Sequence, residues 1–252
     1  MRMIVSDPWF YVMAIPAVII FGIGKGGLGG ALGIISVPLM ALVIAPIQAA
    51  AILLPILCVM DVLAIKQHHA KADYILLRRL LPSAIVGVAI AGVFMQFLPE
   101  NEFKILIGGL SLIFYFQHLW NKWFKKESIR KSGAISAACW SALSGFSSTA
   151  IHAGGGPLSI YLLPLKLNKV TLIATMAVFF GVVNFIKLIP YFIAGEFDLT
   201  NLLTALVLVP FAPIGVKLGV WLLHRVSQEK IYSLCYFFLM LSGVKLVFDG
   251  LA

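Results

Sequence analysis

The chain has 252 residues, 61% of them hydrophobic and 12% charged, with a mean hydropathy of +1.03. A soluble domain is about half apolar and about a quarter charged, so this composition excludes an ordinary soluble protein and indicates a polytopic membrane protein. The net charge of +9 comes from basic residues grouped in short loops between apolar runs, as in cytoplasmic loops, and no nucleic-acid motif accompanies it.

Arg2 precedes an apolar run over 9–23. This run lacks a clear small-residue cleavage site and reads as a retained first segment. A glycine-rich break follows, Lys25-Gly26-Gly27-Leu28-Gly29-Gly30, and runs on to Val37-Pro38. Further apolar runs cover 31–46, 47–65, 80–98 and 103–120. The linker 121–132 carries Lys122, Lys125, Lys126, Arg130 and Lys131. Runs at 133–151 and 156–165 then flank a second break, His152-Ala153-Gly154-Gly155-Gly156-Pro157, which runs on to Leu163-Pro164. The last runs are 170–194, 201–223 and 231–248. Those at 80–98, 170–194 and 201–223 can cross a hydrocarbon layer of ~30 Å as ordinary helices. The runs beside the breaks are shorter, and read as short tilted helices or as half-helices that meet inside the membrane. Cys58, Cys139 and Cys235 are isolated in apolar runs and predict buried thiols, with no disulfide and no metal.

The two halves of the chain look alike. Val59-Met60-Asp61-Val62 resembles Val182-Val183-Asn184-Phe185, Asp73 falls where Asp198 falls, Gly92 matches Gly219, and Glu102-Phe103-Lys104-Ile105 resembles Glu229-Lys230-Ile231-Tyr232. Loop charge reverses between equivalents. Loop 66–79 carries Lys66, Lys71, Arg78 and Arg79, whereas Gly195 to Thr200 carries no cation. Pro99-Glu100-Asn101-Glu102 is acidic, whereas the counterpart with His224, Arg225 and Lys230 is more basic. By the positive-inside rule the halves have opposite topology, the linker is cytoplasmic, and both chain ends face outside. Arg2 is a mild exception. The expected fold is an all-α membrane bundle of two inverted-topology repeats, 1–120 and 133–252. Each contains a Gly-interrupted broken helix or helical hairpin.

Glycine runs leave backbone amides bare, which lipid does not tolerate, so the breaks belong inside protein or beside a polar cavity. Paired broken segments in matching places point to a transporter's binding site. A helix starting at a break offers free N–H groups and a positive dipole end, which favour an anion. The candidate binding residues are therefore Lys25, Gly26, Gly27, Gly29 and Gly30 in the first half. In the second they are Ser147, Ser148, Thr149, His152, Gly154, Gly155 and Gly156.

Each has a plainer reading. Glycines at GxxxG spacing, as in Gly26–Gly30 and Gly215–Gly219, serve close packing. Hydroxyls bond helix carbonyls, and Lys25 can snorkel to an interface. His152 is either a proton carrier or a neutral core residue. Asp61 is either a proton site or an interfacial carboxylate near Lys66. Asn184, at the position matching Asp61, and Lys187 one turn on are secondary candidates. His68 and His69 lack further ligands at metal spacing.

The repeated Gly-Gly…Pro elements at 26–38 and 154–164, the length near 250 residues and the two similar halves resemble the sulfite exporter TauE/SafE family. The resemblance covers nearly the whole chain. It implies secondary export of sulfite or sulfur-containing organic anions across the bacterial cytoplasmic membrane. Sulfur comes from the resemblance; the residue pattern implies only a small anion. The expected activity is export by alternating access, with proton coupling through Asp61 or His152. The alternatives are a passive anion channel or an importer of another sulfur compound such as thiosulfate. An enzyme is disfavoured, because HExxH, P-loop, GxSxG and kinase signatures are absent. No cofactor is expected. The partners are the bilayer and a small anion.

Overall fold

The computed structural model describes residues 4–27, 31–124, 133–222 and 228–252. Arg2, Gly29, Gly30, linker residues 125–132, His224 and Arg225 lie outside the described residues. All regular structure within them is helical. The first five α-helices are α1 (Pro8–Gly27), α2 (Ser36–Met40), α3 (Pro46–His68), α4 (Tyr74–Phe97) and α5 (Glu100–Phe124). The remaining six are α6 (Ala134–Ile151), α7 (Gly155–Leu162), α8 (Lys169–Ile193), α9 (Leu199–Leu208), α10 (Phe211–Leu222) and α11 (Gln228–Leu251).

Among the described residues five helices, α1, α3, α4, α5 and α8, are long and apolar enough to cross a membrane, or six spans when the bent pair α9 and α10 is counted as one. Large apolar side chains face outward along them, among them Ile75 at 79% and Phe97 at 78% exposure. Water would penalise such a surface; lipid does not, because helices satisfy their backbone polar groups internally. The chain is a multi-pass membrane protein.

Short polar residues mark the ends of these spans. The matched pair Asp73 and Asp198 turn out to be the N-caps of α4 and α9. Their carboxylates accept from the backbone N–H of Leu76 at 2.9 Å and of Asn201 at 2.7 Å. Pro46 opens α3 at the helical start, where a missing N–H has no cost.

Three expectations are corrected. The run 201–223 is not one ordinary helix: it bends by 40° between α9 and α10. Pro210 at the joint has no N–H for the preceding turn, and the Ala212 N–H reaches only to Val209 O. After the first break the described chain resumes as a 3-10 turn, Ala31–Ile35, and becomes α-helical only at Ser36. Cys139 is exposed on α6 rather than buried, because it lies on an outward face. Cys58 is partly buried, and both are free thiols. The side chain of Cys235 lies outside the described residues.

The helices pair reciprocally between the first five and the last six. The helix α4 packs on α6, and α10 packs on α1. Likewise α4 packs on α8, and α9 on α3. The pairs α3–α8 and α5–α11 complete the bundle. Glycine sets the close approach of α4 to α6 and of α1 to α10. A Cβ added at Gly145 would lie 2.0 Å from Ala84 O, and one at Gly87 would lie 1.9 Å from Ala142 O. On the other side, a Cβ at Gly22 would lie 2.8 Å from Gly215 Cα, and one at Gly215 would lie 2.6 Å from Ile19 O. These are backbone atoms, so a side chain there must part the helices. Gly145→Leu should therefore destabilise the folded protein by about 1–3 kcal/mol or more. A lower melting temperature in detergent checks this, with Gly109→Leu, whose added Cβ meets nothing, as control.

Candidate functional site

The helices α3 and α8 run antiparallel. Asp61 meets Asn184, Ile65 meets Gly181, and the Asp73 N–H donates to Thr175 Oγ1 at 2.9 Å. Beside this crossing lies a small, partly open cavity with room for about one water molecule. Lys25, Ser148, His152, Asn184 and Gly155 supply its polar lining. Phe21, Leu57 and Phe180 supply its apolar walls.

Behind the lining runs a continuous polar chain. Asp61, fully buried, forms an ion pair with Lys25 through Oδ1. Its Oδ2 accepts from Asn184 Nδ2 at 2.5 Å. Asn184 Oδ1 accepts from Lys187 Nζ at 2.8 Å. Lys187, also fully buried, reaches Ser148 Oγ at 3.2 Å and His152 Nδ1 at 2.6 Å. An ammonium has three N–H donors and no lone pair, so three neutral acceptors use it completely. His152 Nδ1 also lies 3.1 Å from Ser148 O, and Nε2 lies 2.9 Å from Ala50 O, so both ring nitrogens are engaged. Two lysines and one carboxylate thus stand in this polar chain, and only Lys25 pairs with the carboxylate directly.

Local sequence explains these positions. His152 caps α6 in the left-handed conformation, with φ of 55°, and its N–H bonds Ser148 O at 3.0 Å. The turn aims the imidazole across to α3 and ends the helix, so α7 starts at Gly155 beside the cavity. First-turn amides of a helix have no intrahelical acceptor, and they add positive potential at that wall.

The other candidates sit nearby in different roles. Ser147 and Thr149 bond the carbonyls of Leu143 at 2.7 Å and Gly145 at 2.9 Å. Only Ser148 of the hydroxyl cluster lines the cavity. Gly154 packs on Ser144 and Phe180, and Gly156 lies near Phe114. Gly26 abuts Val216 O, and Gly27 is the last residue of α1. Asp61 pairs with Lys25 of α1, not with the basic loop at Lys66. Lys217 is exposed, and Lys245 pairs with Asp249 at 2.5 Å. Among the described residues no cluster of His, Cys, Asp or Glu could hold a metal.

The walls were not read from the sequence, although a signal exists. Phe21 precedes Lys25, Leu57 precedes Asp61 and Phe180 precedes Asn184 by one helical turn each, on the same face. A second regularity is stronger. Asp61 and Asn184 lie 123 residues apart. The same spacing separates Lys25 from Ser148 and Leu57 from Phe180. Equally spaced positions of the two halves thus meet around one cavity.

The cavity is closed on one side only by dense packing. Tyr191, one turn beyond Lys187 on α8, is fully buried and stacks on His152 with centroids 6.4 Å apart. Its hydroxyl donates to Thr149 O at 2.7 Å, and Phe197 stacks on its other face at 6.3 Å. Gln48 donates to Asn201 Oδ1 at 2.9 Å, and the Val5 N–H to Thr204 Oγ1 at 3.1 Å, in the same layer. That end is acidic: it holds Asp198 and Glu196, whose carboxyl burial pushes above the usual range, with Asp198 adding to the shift. The lining residues Phe180 and Lys25 lie toward the opposite, basic end, where Lys66, Lys71, Arg78 and Arg79 cluster.

The family model described as Sulfite exporter TauE/SafE matches residues 14–246. No curated protein and no solved structure matches the chain.

Proposed function

The chain belongs to the sulfite exporter TauE/SafE family of membrane transporters of sulfur anions, and from that premise we propose that it exports sulfite or a small organosulfonate by alternating access at the cavity of Lys25 and Asn184. It is a transporter and not an enzyme. The observation that carries the substrate reading is charge: Lys25 pairs with the one carboxylate and Lys187 has only neutral partners, so with both lysines protonated one positive charge beside the cavity is left for an anion. A buried unpaired cation is costly, and a bound anion offsets that cost. The apolar walls suit the organic part of a sulfonate.

Alternating access is supported by the one-sided closure. The Tyr191 layer seals the acidic end, while the cavity lies toward the basic end. By the positive-inside rule the basic end is cytoplasmic, so this conformation faces the cytoplasm. The linker 121–132 is then cytoplasmic and both termini are outside the bacterial cytoplasmic membrane. Inverted repeats, 1–120 and 133–252, are supported by the exchanged helix pairings and by the 123-residue spacing of the cavity positions. Asp61 and His152 are the candidates for proton coupling. His152 is already committed to Lys187 and Ala50, which favours Asp61.

The test is flux into liposomes containing the purified protein, with sulfite, thiosulfate and small sulfonates in competition. Counterflow of labelled sulfite against an internal unlabelled pool is the expected result. Flux without counterflow identifies a passive channel and rejects the carrier. Uptake that favours thiosulfate over sulfite and the sulfonates rejects the substrate assignment.

A further inference from the structure

We infer that the carboxylate of Asp61 occupies the anion's place in the empty carrier, so that the transported anion binds only as Asp61 takes up a proton. The inference rests on the proposed anion site and specifies its regulation. Lys25 and Asn184 both line the cavity and offer N–H donors to an entering anion. Both are already engaged: Lys25 by Asp61 Oδ1, and Asn184 Nδ2 by Asp61 Oδ2 at 2.5 Å. Asp61 itself is fully buried and does not line the cavity. A carboxylate with its two oxygens on an ammonium and an amide imitates two oxygens of a sulfur oxyanion.

Two anions on the same donors repel each other in a low-dielectric site. A proton on Asp61 removes that conflict. The proton arrives from cavity water, and no covalent bond other than the carboxyl O–H is made. Protonated Asp61 keeps one oxygen as acceptor for the Asn184 amide, and Lys25 turns its ammonium to the incoming anion. The exchange leaves the net charge of the site as it was, since the anion's charge replaces that of the carboxylate. Proton and anion therefore travel together, and net flux follows their two gradients jointly.

The groups facing Asp61 are few. From α1 comes Lys25, from α8 Lys187 through Asn184, from the end of α6 His152, and from α3 itself Cys58. The helices α2 and α9, which also pack on α3, carry no titratable residue. On α10, Lys217 is exposed, and on α5 Glu100 pairs with Lys104 at 2.8 Å. Both His152 ring nitrogens are already engaged, Nδ1 with Lys187 and Ser148 O and Nε2 with Ala50 O. Asp61 is therefore the group free to gain a proton as the anion enters.

The probe is methanesulfonate, which stays singly charged over the working pH range, with sulfite counterflow measured in the same preparations. Wild-type apparent affinity should rise as pH falls, approaching about tenfold per pH unit where Asp61 is ionised in the empty protein. Asp61→Asn should bind at least as tightly as wild type at low pH, and its affinity should not change with pH. An unchanged pH slope in a folded Asp61→Asn protein overturns the inference, as does loss of its binding. A measurement on wild type alone guards against a variant that does not fold. At mildly alkaline pH in weak buffer, binding should take up close to one proton per methanesulfonate. Binding without proton uptake overturns the inference while leaving the anion site intact. Absence of both methanesulfonate binding and sulfite counterflow in wild type overturns the anion-carrier reading itself, and the inference with it.

Discussion

Lys25→Gln should reduce sulfite counterflow by about a hundredfold or more. At about 4 Å and an effective dielectric of about 20, two unit charges interact by about 4 kcal/mol, so losing the ammonium removes most of the attraction for an anion. The substitution also strips Asp61 of its ion-pair partner. The freed carboxylate then stands beside the cavity and repels the substrate, which compounds the loss. The double variant Lys25→Gln with Asp61→Asn should recover part of the rate, because neither lone charge remains. Initial counterflow rates of the two single variants, the double variant and wild type form the cycle that measures this coupling. Equal rates in the single Lys25 variant and wild type would remove Lys25 from the site. A double variant no faster than Lys25→Gln alone would mean that the two residues do not act on the anion as a pair.

Lys187→Met should also lower counterflow by about a hundredfold, for the same Coulomb reason, but with little change in melting temperature. The ammonium is buried with only neutral acceptors around it: Ser148 Oγ, His152 Nδ1 and Asn184 Oδ1. Removing it leaves three acceptors short of a donor, at about 1–3 kcal/mol each when none relaxes. Removing it also relieves the desolvation of a buried charge, several kcal/mol in real proteins. The two effects oppose each other and are of similar size. A folded, inactive protein is therefore the expected outcome, and wild-type flux in that variant would exclude Lys187 from anion attraction. Lys187→Arg should not restore flux, because a planar guanidinium cannot place three donors around one point as the ammonium does.

Much of this molecule is legible in its sequence. The membrane class follows from composition, since no soluble core absorbs so much apolar surface. The breaks at Lys25–Gly30 and His152–Gly156 mark where regular helix stops, and α7 begins at Gly155. Asp73 and Asp198 matched because each caps a helix, a local requirement that leaves a local trace. The bend at Pro210 was legible in principle, but the apolar run through it hid the break. Glycine readings split by position. Gly26, Gly215 and Gly219 serve helix contact, while Gly155 faces the cavity.

Sequence by itself placed Lys25 at one break, His152 and a hydroxyl cluster at the other, and Asp61 and Lys187 inside apolar segments. It did not determine that Asp61 belongs to Lys25 and not to Lys66, that Lys187 lies behind Ser148, or that Tyr191 closes one end of the cavity. Only the tertiary structure decided those. In a soluble protein the apolar stripe of a helix points to its partners. In a membrane helix the lipid face and the buried face are both apolar, so hydropathy does not distinguish them. The register of α3 against α8 is set instead by polar groups joined across a long separation, and that of α1 against α10 by backbone contact at glycines. Those contacts bring Lys25, beside the first break, and Gly155, in the second, to one cavity.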